Sequence, residues 1–232
     1  MNNIIALFSK NVCTLNVMIF RALHTLLQYA KIILLSINYK NMRKIVFDIE
    51  TQNTFQEVGS NDPTQLDISL LVIYDYKTKK YLTFTQDNLV DLWPILEETD
   101  MLIGYNSNHF DIPLLNKYYP GDLTAVGSLD LLIEIKKALG KSIRLDNIAE
   151  ATIGVGKSSH GLQAIQWWRE GRIDKIEEYC MQDVKVTKDI YEYALKHKKL
   201  KYKDLLDTVT FDVDTSTWDT NTSKAINYTL PL

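Results

Sequence analysis

Four carboxylates and one phenol, in three separate segments, are the side chains of this sequence best suited to chemistry. Asp48 and Glu50 lie in KIVFDIET, Asp111 lies in GYNSNHFDIPLL, and Tyr179 and Asp183 lie in EEYCMQDVKVT. If folding brings these carboxylates together, they repel one another in a pocket of low dielectric unless cations neutralise them. Divalent-metal and phosphate chemistry is therefore the first hypothesis.

The first pair of carboxylates lies in a predicted strand. Side chains two residues apart on a strand share a face, so Asp48 and Glu50 are expected to point the same way. They follow an apolar run and precede a turn at Thr51, which places them at the carboxyl end of the strand, where open α/β sheets bind ligands. Two solvated acids at a strand end are the alternative, because Asp-x-Glu alone is a common sequence.

The third carboxylate follows a second predicted strand, which ends at Asn106. Gly104 permits close approach of the backbone, and Asn106 can cap the following turn or contact a ligand. Standing alone, Asp111 would be a helix N-terminal acid that suits the helix dipole. Its place at the edge of another strand favours convergence with the first pair.

The last two candidates are four residues apart on a predicted helix, so they share one face about one turn apart. In this arrangement Tyr179 can hold a water molecule near a metal ion bound by Asp183. The alternative is that Tyr179 is a half-buried amphipathic aromatic residue and that Asp183 pairs with Lys185 or Lys188. The choice depends on whether this helix face meets the other carboxylates.

Hydrophobic periodicity assigns these side chains to a series of strands and helices. The predicted strands are residues 44–49, 67–76, 80–85, 101–105 and 124–129, and the predicted helices are residues 88–98, 110–118, 131–139, 145–153, 162–170 and 173–196. This order predicts an α/β fold with a five-stranded mixed sheet flanked by helices. The first three strands meander, and the later ones run parallel through helical crossovers.

Composition indicates the class and the setting of the protein. The chain has 232 residues, 46% of them apolar and 24% charged, as in an ordinary globular domain. The two cysteines, Cys13 and Cys180, do not suggest a disulfide framework or a thiolate zinc site, so a reducing, cytoplasmic setting is expected. Beyond residue 44 the chain carries 20 of its 26 basic residues against all 29 acids. That balance counts against a broad phosphate-binding surface, but not against a small metal site.

Residues 1–41 differ from the rest because they are apolar and contain no acid. The stretch 17–37 has about the length of a membrane span. However, Arg21, His24, Gln28 and Lys31 form one polar helical face, which indicates an amphipathic helix on a protein or membrane surface and no transmembrane span. Alternatively, the domain starts at Met42 and the preceding segment is a non-native extension.

Taken together, the segments resemble the three motifs of the DEDD superfamily of 3′–5′ exonucleases, which has the ribonuclease H-like fold. The motifs occur in order as Asp48-x-Glu50-Thr51, Asn106-x-x-x-Phe110-Asp111 and Tyr179-x-x-x-Asp183. The tyrosine is similar to that of the DEDDy branch, which includes exonuclease domains of family B DNA polymerases and YprB-like ribonuclease H domains. The histidine branch would place a histidine where Glu178 stands. The resemblance covers roughly residues 43–198.

The resemblance implies a two-metal mechanism, in which ions about 3.5–4 Å apart hold the attacking and leaving oxygens of an in-line phosphoryl displacement. By this resemblance Asp48 would bridge both ions, Glu50 and Asp183 would complete the water-activating site, and Asp111 would act mainly on the second ion. Tyr179 would orient the attacking water, because a phenol with a pKa near 10 is a poor base at neutral pH. Oxygen ligands favour Mg²⁺ or Mn²⁺.

The same resemblance implies a single-stranded nucleic-acid 3′ end as substrate, with DNA expected first, RNA as the alternative, and nucleoside monophosphates as products. Thr51 and Asn106 would contact the terminal nucleotide, and Phe110 would pack beneath the site. A polymerase or a helicase is a candidate partner, because no palm or helicase domain follows in the sequence. A non-catalytic nucleic-acid-binding or accessory module with the same fold is a further alternative, against which the intact acid set argues.

The predicted organisation has three parts: an N-terminal extension (1–41), the nuclease-like domain (42–203) and a C-terminal tail or added hairpin (204–232). Two other motifs are given structural interpretations. Gly154-x-Gly156-Lys157-Ser158 lacks the glycine of a phosphate loop at Ala151 and follows a predicted helix, so an interhelical turn is expected. The basic run at residues 196–203 is predicted to be a solvated helix end.

Overall fold

A computed structural model of the chain describes residues 24–29, 42–156, 161–205 and 207–219. The chain divides into two units, Met1–Asn41 and Met42–Leu232. In the first unit residues 24–29 are helical, and Leu26, Leu27 and Tyr29 are exposed. The remaining predictions for residues 1–41 lie outside the described residues. In the described parts of the chain, no helix combines the length and the apolar character needed to cross a membrane.

The second unit is built on a mixed sheet. Its strands are β1 (Lys44–Thr51), β2 (Ile68–Asp75), β3 (Lys80–Thr85), β4 (Met101–Gly104) and β5 (Gly127–Asp130). Within the described residues the sheet has five strands in the order β3-β2-β1-β4-β5. The first three pair antiparallel, whereas β4 pairs parallel with both β1 and β5. The predicted fold class, strand number and mixed pairing are thus confirmed.

Helices follow or connect these strands. They are α1 (Phe55–Val58), α2 (Trp93–Glu97), α3 (Asp111–Asn116), α4 (Leu131–Leu139), α5 (Leu145–Ile153), α6 (Gly161–Arg169) and α7 (Ile173–His197). Short 3₁₀ segments lie at Pro63–Gln65, Gln86–Leu92 and Leu123–Ala125. For α4 and α5 the predicted and observed bounds coincide, because Asp130 caps the start of α4 and Gly140 and Gly154 end the two helices with positive φ.

Two predicted elements are wrong in extent. The single helix predicted over 88–98 is a 3₁₀ segment followed by α2, because Asn88 leaves the helical region and Pro94, which lacks an N–H, suits only a first turn. The predicted fifth strand at 124–129 starts only at Gly127. The side chain of Asp122 accepts a hydrogen bond from the backbone N–H of Thr124 and holds the preceding residues in a 3₁₀ turn.

The sheet separates two hydrophobic cores. Alternate residues of β1 face opposite sides, so Val46 joins the core beneath α7, whereas Ile45 and Phe47 join the core beneath α3. The register between β1 and β2 shifts between Glu50 and Thr51, where β2 contains an additional residue. This bulge in β2 lies opposite the end of β1 that carries the first candidate acids.

Past α7 the chain adds an antiparallel hairpin of β6 (Lys199–Asp204) and β7 (Asp207–Asp212). Residues 199–203 of the basic run therefore form a strand, and the predicted helix end is wrong for them, because Lys198 adopts a positive φ and ends α7. Two of these lysines pair with nearby acids, Lys199 with Asp212 and Lys203 with Glu150.

After the hairpin, the chain returns to the body of the domain. Trp218 is buried, stacks on Tyr191 at 6.0 Å between ring centroids, and donates its indole N–H to Glu134 at 3.2 Å. Asp219 accepts a hydrogen bond from the ammonium group of Lys44 at 3.0 Å. The last described residues thus bridge α4, α7 and the start of β1, while residues 220–232 lie outside the described chain.

Candidate active site

The carboxyl end of β1 carries the first two acids on the sheet face that α7 covers. Val46, whose side chain lies in the core beneath α7, shares this face with Asp48 and Glu50 because the three alternate along the strand. Asp48 is half-buried and Glu50 is 9% exposed. The prediction that both carboxylates point to one side is confirmed by this arrangement.

Helix α7 brings the second pair to the same edge. Its buried residues include Cys180 and Val184, and burial of this stripe fixes the rotation of the helix about its axis. Tyr179 and Asp183 flank that stripe, and the phenol hydroxyl hydrogen-bonds the carboxylate. Lys188, considered as an alternative partner of Asp183, contacts Asp189 at 3.0 Å and Glu192 at 3.2 Å.

Three of the predicted carboxylates converge. Among the described residues, carboxylate oxygens of Asp48, Glu50 and Asp183 lie within 4.8 Å of one another. One strand and one helix supply them, and the packing of α7 across β1 creates the cluster. Neither segment alone could place three negative charges so close together.

Asp111 approaches the cluster from the other neighbouring strand. It opens α3, is 4% exposed, and its Oδ1 accepts the backbone N–H of Ile49 at 3.1 Å. The carboxylate therefore contacts the segment of β1 between the first two acids. Asp111 is thus a helix N-terminal residue whose charge also acts on Asp48 and Glu50.

The loop before Asp111 is held by Asp130, a residue that sequence reasoning missed. Asp130 accepts the backbone N–H groups of Asn106 at 2.8 Å and Asn108 at 3.0 Å, as well as that of Leu132 at 2.9 Å in the first turn of α4. Its position just before a predicted helix was the available signal.

Backbone geometry also shapes this loop. Asn106 has a φ of 64°, and its carbonyl accepts from the N–H groups of His109 at 3.2 Å and Phe110 at 3.1 Å. A Cβ at Gly104 would overlap the side chain of Ser107, so the close approach expected there is real.

Burial and mutual repulsion dominate the electrostatics of the site. Burial, followed by repulsion from Asp111, Glu50 and Asp183, raises the pKa of Asp48 well above its ordinary value. Burial and the charges of Asp183 and Asp111 likewise raise the pKa of Glu50. Burial raises the pKa of Asp111 to about 7, against hydrogen bonds from its own N–H and that of Ile49.

Cys180 is a second residue that sequence reasoning missed at the site. Its buried thiol lies 3.3 Å from the carbonyl oxygen of Asp48 and 3.5 Å from Oδ2 of the same residue. Burial, with the nearby charges of Asp48 and Glu50, raises the pKa of this thiol. The S–H is therefore retained as a donor towards Asp48.

A cleft of about 500 Å³ opens beside the acids. Within the described residues its lining includes Thr51 and Phe110 from the predicted set but not Asn106, and it adds residues that were not predicted: Ile49, Asn53, Thr54, Phe55, Leu66, Arg144, Leu162 and Ile165. The rings of Phe55 and Phe110 meet edge to face at 6.0 Å between centroids. Glu50 joins the cleft to the acidic cluster.

The donor set suits a divalent metal ion. Two oxygens on opposite sides of Mg²⁺ are about 4 Å apart, since each bond is about 2.1 Å, and the observed spread of 4.8 Å requires only small side-chain adjustments. Carboxylates with raised pKa values gain stability when a cation replaces the missing counter-charge. Asp48, Glu50 and Asp183 can thus hold a hard cation.

Comparison with known proteins agrees with this fold. A model of the RNase_H superfamily matches residues 45–195, well over half of the chain. The chain is similar to the family B DNA polymerase from the hyperthermophilic archaeon Pyrobaculum calidifontis, with a TM-score of 0.52 and 21% identity over 66% of this chain. It spans 24% of the polymerase chain, and at this identity the similarity shows the fold alone. No curated protein matched the sequence.

Proposed function

Because this chain belongs to the RNase_H superfamily, we propose that it is a metal-dependent 3′–5′ exonuclease that acts on single-stranded nucleic-acid ends. The convergence of Asp48, Glu50 and Asp183 within 4.8 Å, beside a cleft lined by two aromatic rings, is the observation that carries the proposal. The order of the motifs, which resembles that of the DEDDy exonucleases, supplies the direction of cleavage.

In this proposal the carboxylates would hold two Mg²⁺ or Mn²⁺ ions, which would supply charge neutralisation and an activated water for hydrolysis of the terminal phosphodiester. Asp48, on which the charges of Asp111, Glu50 and Asp183 all act, would be a ligand of both ions. Glu50 and Asp183 would complete one site. Asp111, which is oriented by its bond to Ile49, would contribute to the second.

Tyr179 positions a water molecule instead of removing its proton. Burial, with the charges of Asp183, Glu50 and Asp48, raises the pKa of this phenol above its ordinary value, so it stays protonated at every pH of interest. A protonated hydroxyl that donates to Asp183 can also accept a hydrogen bond from a water molecule beside the carboxylate. Orientation, not base catalysis, follows from this state.

The cleft is suited to one nucleotide. Its volume of about 500 Å³ falls in the range of small-ligand sites. Phe55 and Phe110 offer apolar faces to a base, and unpaired bases bind such surfaces without sequence preference. Thr51, whose hydroxyl donates to the carbonyl oxygen of Asn53 at 2.9 Å, also lines the cleft. DNA is the proposed substrate, and RNA is the alternative.

Digestion of 5′-labelled DNA and RNA oligomers with Mn²⁺ tests the proposal. Stepwise shortening from the 3′ end, with release of nucleoside monophosphates and no cutting of a circular strand, is expected. Asp183→Asn should abolish shortening, whereas Glu178→Gln, an exposed change on the same helix, should not. Absence of shortening by the folded wild-type protein on both substrates would refute the function.

Metal binding is tested separately by calorimetric titration with Mn²⁺. Binding to the wild-type protein and its loss in Asp48→Asn are expected, because the substitution removes one of the three clustered charges. If the protein binds nucleic acid but does not bind Mn²⁺ and does not cleave the strand, it is instead the non-catalytic module.

A further inference from the structure

A single cationic side chain lines the cleft among the residues that the structure describes, and it is Arg144. The cleft wall that contains it also contains Glu50 of the acidic cluster. A phosphodiester strand that approaches this edge meets concentrated negative charge, so a cation in the cleft lining lowers the repulsion that the strand meets.

The backbone at Arg144 is fixed from the end of β4. The hydroxyl of Tyr105 donates to the carbonyl oxygen of Ile143 at 2.7 Å, and Tyr105 directly precedes the loop that leads to Asp111. Arg144 is thereby tied to the same strand end as the acidic site. Its position relative to the cleft does not depend on a long unsupported loop.

The helix that starts after Arg144 is anchored to the C-terminal hairpin. Asn147 of α5 exchanges two hydrogen bonds with the backbone of Lys203, at 3.0 and 2.7 Å. Thr152 exchanges two more with the backbone of Lys201, both at 3.0 Å. The hairpin, an addition to the five-stranded sheet, therefore braces the helix that presents Arg144.

The side chain of Arg144 is available for a ligand. It is 73% exposed, makes no capping hydrogen bond to α5, and lies 3.5 Å from Asp146, its ion-pair partner. An exposed ion pair of this kind contributes little to stability, because water and salt screen it. A phosphate, with two or three oxygens matched to the guanidinium fork, is the stronger partner.

We propose that Arg144 binds a backbone phosphate of the single strand that enters the cleft, and so sets substrate affinity rather than the chemical step. This inference rests on the proposed function, since it assumes that the cleft receives a nucleic-acid 3′ end. The ligand is a phosphodiester of DNA or RNA. A positive charge just outside an acidic centre guides the strand past repulsion that would otherwise exclude it.

Arg172 provides a matched control. Like Arg144 it stands at the N-cap of a helix without a capping side-chain bond and pairs with an aspartate two residues later, at 3.3 Å from Asp174. It does not belong to the lining of the described cleft. Arg144→Ala and Arg172→Ala therefore remove the same charge from comparable exposed helix N-termini, with side-chain exposures of 73% and 48%.

The experiment measures binding of 5′-fluorescein-labelled single-stranded DNA and RNA oligomers by anisotropy in EDTA, and cleavage in Mn²⁺. For Arg144→Ala we expect about tenfold weaker binding and a KM raised by the same factor, with kcat within about twofold of wild type; tenfold corresponds to about 1.4 kcal/mol. The slope of log affinity against log salt should become shallower by about one. Arg144→Lys should recover part of the affinity, and Arg172→Ala should match wild type.

Equal binding by Arg144→Ala and Arg172→Ala would overturn the inference, as would a fall in kcat without a change in affinity. If the wild-type protein cleaves and Arg144→Ala binds the strand with unchanged affinity, the role of Arg144 is refuted and the exonuclease proposal stands. Binding that depends on Arg144 without any cleavage would refute the exonuclease and leave the phosphate contact in place.

Discussion

Replacement of Asp130 by alanine tests whether the loop that leads to Asp111 is held from β5. The carboxylate of Asp130 is 3% exposed and accepts N–H groups of Asn106, Asn108 and Leu132. Loss of the helix cap costs about 1 kcal/mol, and the two loop N–H groups left without a partner cost about 1 kcal/mol each at the lower end of the range for partly buried groups. We therefore expect a fall of about 3 kcal/mol in the free energy of unfolding.

Urea denaturation provides the measurement, and Asp122→Ala provides the control. Asp122 caps the 3₁₀ turn Leu123–Ala125 in the same way, through Thr124, but at an exposed position, so its loss should lower the free energy of unfolding much less than the loss of Asp130. The loss of unfolding free energy in Asp130→Asn should lie between those of Asp130→Ala and Asp122→Ala. In this variant the amide oxygen can still accept a backbone N–H, whereas the NH₂ group faces another N–H donor and cannot pair with it.

Activity distinguishes a positioning role from a purely stabilising one. At a temperature where Asp130→Ala remains folded, the displaced loop should move Asp111 and lower kcat about tenfold or more, since small misplacements of a site residue are costly. Equal destabilisation in Asp130→Ala and Asp122→Ala, or an unchanged kcat in the folded Asp130 variant, would refute the reasoning.

Three further predictions concern the core, the thiol and the pH response. Trp218→Ala should lower the free energy of unfolding by about 3–5 kcal/mol in urea denaturation, because a large buried side chain is removed; a loss below 1 kcal/mol would show that the last described residues do not stabilise the domain. Cys180→Ser should retain Mn²⁺ affinity in calorimetry and Cys180→Val should weaken it, since only serine preserves a donor towards Asp48; equal affinities would contradict this. In EDTA the free energy of unfolding should fall as pH rises from about 4 to about 7. The pKa of Asp111 is about 7 in the folded protein and near 3.9 in the unfolded chain. The native state therefore binds more protons than the unfolded state in that pH window, and it loses stability as those protons leave. Mn²⁺ should reverse the loss, and urea midpoints for Asp111→Asn should vary less with pH than those of the wild-type protein.

The sequence predicted those parts of the site that depend on local geometry. A period of two along β1 places Asp48 and Glu50 on one face whatever the rest of the chain does. A spacing of four places Tyr179 and Asp183 one turn apart on any helix. The apolar runs identified the strands and helices and their order along the chain, because hydrophobic period and length follow from secondary structure alone.

Only the tertiary structure decided which groups face each other. The contact of Cys180 with Asp48, the two loop N–H groups held by Asp130, and the place of Arg144 on the cleft wall join segments that are separated in sequence. These contacts depend on how α7 crosses β1, how β4 pairs with β5 and how the C-terminal hairpin supports α5. Residue type and spacing therefore identified the acids. Packing between elements determined the charge cluster, its hydrogen-bond partners and the cleft beside it. The physical reason is that side chains from different segments converge only when helices and strands pack, which a local hydrophobic period does not specify.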